Sequence, residues 1–442
     1  MHSDLRGLSQ TAASAAAMDA FDATVEAFMA YERQTGDRLK ETFALDPTMP
    51  MALCLKGCFL LLFSKQALVP KAAKALADAR AAAAERGITD REARHLEGLG
   101  LWLEGDLQAA AAVWAGIAID HPHDIVALRM AEYLHFYLGD APGMRNAIAR
   151  ALHAWDDAVP GYTYVLGMKA FALEECGDYA AAERAGRAAI ERNPANIWAA
   201  HAVAHVMEMQ DRPEEGIAWI GGLEQHWGEC HNFTYHAHWH RCLFRLELGD
   251  IDGVLRDYDE KVRADQSEEF LDVINAVALL WRLEQRGVDI GGRWGELSEK
   301  CVGLSTNRRM IFGDMHYIMA LAAGGDGAAI DAALAGLEDF AEGRGSEEAA
   351  ARAAGLPLAR AVVAHRQGRF ADAIAALLPH RAALFRLGGS RAQRDLFEQL
   401  MIDAAVKAEE KALAQALLSE RALQRPGNPW NRRMTEAAAA LP

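Results

Sequence analysis

The chain lacks most of the patterns on which membrane proteins, nucleic-acid binders and familiar enzyme sites are built. Its most apolar stretch, MALCLKGCFLLLF at 51–63, carries Lys56 and is too short to span a bilayer. Positive charge is also scarce. A net charge of −16 argues against binding a phosphate backbone or an anionic membrane, and Arg308–Arg309 and Arg432–Arg433 are too short to reverse that. Neither nucleic acid nor membrane is an expected partner. β-Branched runs and apolar/polar alternation are missing, which leaves no support for a sheet. The six cysteines (54, 58, 176, 230, 242 and 301) form no C-x-x-C pair. Cys54 and Cys58 share a helical face and are expected as two small buried residues. The opening MHSDLRGLSQTAASAAAMDAF has no long apolar segment, so no secretory signal is expected and a reducing cytoplasm is the natural location.

Several reaction motifs are missing as well. Ala202 follows His201 where an H-E-x-x-H metalloprotease needs Glu. There is no G-x-S-x-G elbow, no phosphate-binding loop, and no G-x-G-x-x-G after a strand.

What remains is alanine-rich, 51% hydrophobic, and punctuated by glycine. This composition predicts an all-α chain with ample core. Turn signals recur at Gly105-Asp106, Gly139-Asp140, Gly177-Asp178, Asp211-Arg212-Pro213 and Gly249-Asp250, with a similar one at Gly368-Arg369. The five Asp residues at 106, 140, 178, 211 and 250 step by 34, 38, 33 and 39. The pattern resembles the tetratricopeptide repeat, a helix–turn–helix unit of about 34 residues. Residues 162–194 are the best example, and the clearest repeats run from about 90 to 265. The expected architecture is a single continuous right-handed α-solenoid over 1–442, built from divergent helix pairs. Further helices are expected at 267–286, 307–323, 329–342 and 358–367, with capping boxes at Thr89–Glu92 and Ser390–Gln393.

The candidate site lies in HAVAHVMEMQ and YHAHWHRCLF. His201, His205 and Glu208 sit at offsets 0, +4 and +7, within about 60° on a helix, so two imidazoles and a carboxylate share one face. His236 and His240 repeat the i, i+4 pairing about one repeat later. Counted in a tetratricopeptide register, Trp198, His201, His205 and Glu208 fall at the positions that line the concave groove. The set suits metal coordination or acid–base work. The bland alternative is a polar groove wall. Trp239 either walls the site or packs, His231 reads as an exposed loop residue, and His238 points away from its neighbours. Asp314 and His316, two apart on a later helix, and Arg391, at a helix start beside Gly388-Gly389-Ser390, are weaker substrate-binding candidates. For the first two packing is the competing role, and for the third capping.

The chain also resembles the tetratricopeptide repeat protein 38 family over almost its whole length. The resemblance is carried by FDATVEAFMAYE (21–32), HAVAHVMEM (201–209), His236 and His240, FGDMHYIMAL (312–321) and LGGSRAQRDLFEQL (387–400). His201, His205, Glu208, Met209, His236, Trp239, His240, Asp314 and His316 match the family's pattern, and His238 departs from it. The resemblance implies an α-solenoid and supplies a site but no reaction.

Two functions are therefore carried forward. In one, the His/Glu cluster binds a small polar molecule in the groove and transforms it by hydrolase- or lyase-type chemistry. That chemistry is assisted either by a divalent transition metal such as zinc or by a histidine base oriented by Glu208. In the other, the groove is a scaffold for a partner protein or peptide. Peptide-carboxylate grooves favour Lys, Arg and Asn, and this unit offers His, Glu and Trp.

Overall fold

The computed structural model describes residues 1–442. Helical residues make up 76% of the chain, and sheet is confined to the two-residue strands His2–Ser3 and Ser9–Gln10. Sequence-adjacent helices pack in pairs, as in Asp90–Leu103 with Leu107–Asp120, Tyr162–Glu175 with Tyr179–Arg192, and Leu356–Arg366 with Phe370–Leu377.

The turn signals work by one recurring device. Gly177 adopts φ +82°, a left-handed conformation that ends one helix without a Cβ clash. Asp178 then accepts from the Ala181 N–H as the N-cap of the next helix. Asp106, Asp140 and Asp250 cap in the same way. At Asp211 no glycine is present, and the aspartate itself takes φ +53°. Both expected capping boxes are formed, at Thr89–Glu92 and Ser390–Gln393.

The chain divides into two compact units, Met1–Val203 with Leu223–Thr234, and Ala204–Gly222 with Tyr235–Pro442. The division falls inside helices Ile197–Met209 and Phe233–Leu248. In the first unit Ala110, Ala111, Ala127 and Ala131 are buried in one apolar cluster with Trp114. Alanine at these contacts lets helices approach closely while the indole fills the residual volume. In the second unit Val273, Val277, Leu280, Ile318, Leu396 and Leu400 are buried together. Its helices Phe270–Glu284, Ile311–Gly324, Gly327–Ala341 and Leu356–Arg366 correspond to apolar segments expected from the sequence, with ends shifted by a few residues. All six cysteines are free thiols, and Cys54 and Cys58 are both buried. No helix is long and apolar enough to cross a membrane.

Candidate metal centre

Helix Phe233–Leu248 brings His236 and His240 onto one face, and helix Ile197–Met209 presents His205 to them. The His205 and His240 ring centroids lie 4.4 Å apart and those of His236 and His240 4.9 Å apart. His201, one turn earlier on the helix of His205, belongs to the same group: each of the four offers a ligand atom, all within 4.8 Å of one another. That span is short enough for several nitrogens to meet one ion at Zn–N distances near ~2.0–2.1 Å after small adjustments of the rings.

The supporting contacts set the chemistry of two rings. Nδ1 of His240 lies 2.9 Å from Oε2 of Glu208, and Nδ1 of His236 lies 3.0 Å from Oδ1 of Asn275. An imidazole that donates its Nδ1–H to such an acceptor keeps its lone pair on Nε2, the usual arrangement around a metal-ligating histidine. Trp239 stacks on His236 at 5.3 Å with the planes 13° apart, fixing that ring's orientation.

Glu208 is held from its other side. Its Oε1 accepts from Nη2 of Arg425 at 3.0 Å, and Arg425 in turn donates to Asp395 at 3.0 Å. Asp395 also receives Arg421 and Gln399. Burial raises the Asp395 carboxyl, but Arg421 and Arg425 win and hold it well below the ordinary carboxylate range. A buried relay thus runs from His240 through Glu208 and Arg425 to Asp395. Beside it is a cavity of about 20 Å³ lined by Glu208, Arg282, Asp395, Gln399 and Arg425. That volume is room for about one water molecule.

Burial also sets the protonation state. His205 and His240 are 0% exposed. Desolvation pushes His236 down to about 3, helped by the neighbouring His240. It pushes His240 to about 3 as well, with Arg282 and Arg425 adding repulsion. For His205, burial and then His240 act in the same direction. The rings are therefore neutral near pH 7, the form that can ligate a metal or accept a proton. Here the structure departs from the sequence reading. Residues placed by repeat register on an open groove are interior, because an i, i+4 histidine face is satisfied as well by another imidazole face as by solvent.

The remaining candidates separate. Trp198 donates its indole N–H to Glu132 at 3.0 Å and lies against the ring of His201. Asp314 pairs with Arg308 at 2.7 Å. Burial pushes its carboxyl up to about 7 against that partner. His316 places Nδ1 2.8 Å from the carbonyl of Phe312 on its own helix, between the rings of Phe312 and Phe397. Both contacts are those of packed residues. Arg391 opens helix Arg391–Lys407, where the Ser390–Gln393 box already uses two backbone N–H groups, one at each residue. His231, expected in an exposed loop, is half-buried. Its Nδ1 accepts from the Phe233 N–H, its ring lies 5.3 Å from Tyr31, and burial pushes it down to about 4. His238 is buried too.

Sequence reasoning missed Asn275, Arg425 and Asp395. Nothing local marks them, since Arg425 meets Glu208 across 217 residues of chain. No family model matches the chain.

Proposed function

We propose that this chain is a metal-dependent protein of the tetratricopeptide repeat protein 38 type that binds and transforms a small polar molecule. The reading is supported by one observation above all: buried, neutral imidazoles at His205, His236 and His240, with His201 alongside, offer nitrogens within one ion's reach, and two are oriented by Glu208 and Asn275. A donor set of imidazoles suits zinc, copper, iron or nickel, and zinc best accommodates a tetrahedral nitrogen site. A bound zinc would act as a Lewis acid and lower the pKa of a ligated water. Three imidazoles leave a fourth position for water or substrate, and a fourth histidine closes it. We assign His205, His236 and His240 as the ligands and His201 as the residue that yields to the incoming molecule.

The chain's own residues do the rest. Glu208 holds the proton on Nδ1 of His240, Arg425 keeps Glu208 in place, and the aliphatic and indole surroundings exclude bulk water. The same Glu208–His240 hydrogen bond also favours a second reading, in which His240 is a general base without metal.

The test is elemental analysis of full-length untagged protein, followed by the same analysis of His205→Ala and His201→Ala. The reading expects a transition metal in the wild type, its loss in His205→Ala and its retention in His201→Ala. A metal-free wild type that stays metal-free after zinc is added would overturn it in favour of the general-base or scaffold alternatives.

A further inference from the structure

A second buried polar group lies wholly within the first unit and plays no part in holding the metal. Arg129, on helix Ile125–Tyr137, is 0% exposed. Its Nη1 donates to Glu132 Oε2 at 2.7 Å, while Nε and Nη2 have no hydrogen-bond partner. These two N–H groups form the side-on fork of the guanidinium, the edge that binds a planar oxyanion through two parallel hydrogen bonds. Around it stand the rings of Trp198, Tyr133 and Tyr31, 5.2, 5.3 and 5.6 Å from the guanidinium carbon. Ring faces attract the cation through their quadrupoles, but they are poor substitutes for two oxygen acceptors on the in-plane N–H groups.

The box is built with care. The Tyr31 and Tyr133 hydroxyls are 2.7 Å apart, and Trp198 stacks on Tyr31 at 5.7 Å while donating to Glu132. Tyr31 itself sits at φ +60°, an uncommon conformation for an aromatic residue, and its carbonyl is held by the His231 N–H. The outer wall is formed by Tyr133 and Tyr137, both half-buried and stacked on one another. Trp198 also touches His201.

We infer that the Arg129 fork is a binding site for the carboxylate of a small molecule with an apolar or aromatic body. Glu132 already neutralises the guanidinium, so the site suits a planar monoanion. A phosphate dianion would meet one fork, one carboxylate and no further cationic group. The inference names the substrate class of the proposed function and rests on its small-molecule half, not on the metal.

The probe is sodium benzoate, titrated calorimetrically into full-length untagged protein before and after chelator treatment, with benzamide and inorganic phosphate as comparisons. Saturable benzoate binding is expected, tighter than either comparison and present in the chelated protein. A wild type that takes up no metal even when zinc is added, yet still binds benzoate, would therefore sink the metal reading alone. Arg129→Lys keeps the charge but cannot present the fork, and should weaken benzoate by roughly ten-fold or more. The double variant Arg129→Met/Glu132→Gln, which leaves no lone buried charge, should abolish it. No benzoate binding to the wild type, benzamide binding as tightly, or unchanged affinity in Arg129→Lys would each overturn the proposal. Should neither variant fold, the wild-type preference for benzoate over benzamide decides the matter.

Discussion

Two sites in this molecule set a buried histidine against a carboxylate and differ in what they can do. His95, in the first unit, places Nε2 2.9 Å from Asp124 and receives the Trp114 indole N–H on Nδ1 at 3.1 Å. Arg91 completes the group at 2.6 Å from the same carboxylate. Burial pushes the Asp124 carboxyl up, yet His95 and Arg91 together hold it well below its usual range. Both nitrogens of His95 are thus committed to protein partners, and the ring is a structural strut. His236 and His240 each place Nδ1 against Asn275 or Glu208, and each offers a ligand atom to a group of four imidazoles. A buried histidine becomes a ligand candidate through what its second nitrogen faces, not through burial or an acidic neighbour.

The sharpest way to break this distinction is to exchange the two sites' phenotypes. His240→Ala should lose bound metal altogether, whereas His95→Ala should retain it, as read by elemental analysis after dialysis. If both variants keep metal, the cluster is not the site. Next in size, Glu208→Gln should weaken zinc by about 10–100-fold in a competition titration, the usual loss when a ligand's supporting carboxylate is removed. An unchanged affinity would detach Glu208 from the site.

His95→Ala should instead show its effect in stability. Losing the ring leaves the Trp114 N–H without its acceptor and Asp124 with fewer donors, a cost on the order of 1–3 kcal/mol in urea denaturation. The smallest effect concerns His316, a third buried ring, which desolvation holds at about 4 despite its bond to Phe312. Because its folded pKa is depressed, the unfolded chain binds more protons between about pH 6.5 and 4, so this contribution is present above that window and lost on acidification. His316→Asn should therefore lose less stability than the wild type between pH 7 and pH 5, by about 1–2 kcal/mol. Identical pH slopes would show that His316 titrates as it does in the unfolded chain.

The helices, their Gly-Asp punctuation and both capping boxes were legible because each is a local matter of backbone conformation and one short-range hydrogen bond. The His201/His205 and His236/His240 pairs were legible for the same reason: helical geometry puts i and i+4 on one face whatever lies opposite. What lay opposite was not legible. Register alone cannot say whether that face meets solvent or a second imidazole face, so an open groove was expected where the rings are buried. Arg425 and Asn275 were invisible because they support the site across the fold. Arg129, spaced three residues from Glu132, reads in sequence as an ordinary helical ion pair. Its unpartnered fork emerges only when Tyr31 and Trp198 enclose it.

Above all, these imidazoles are proposed to converge on one ion. X-ray absorption at the zinc edge of reconstituted, untagged protein addresses it directly. About one zinc per chain is expected, coordinated by three or four imidazole nitrogens near ~2.0 Å, with no bound zinc in His205→Ala. A zinc shell dominated by oxygen or sulfur, or a spectrum unchanged in His205→Ala, would contradict it.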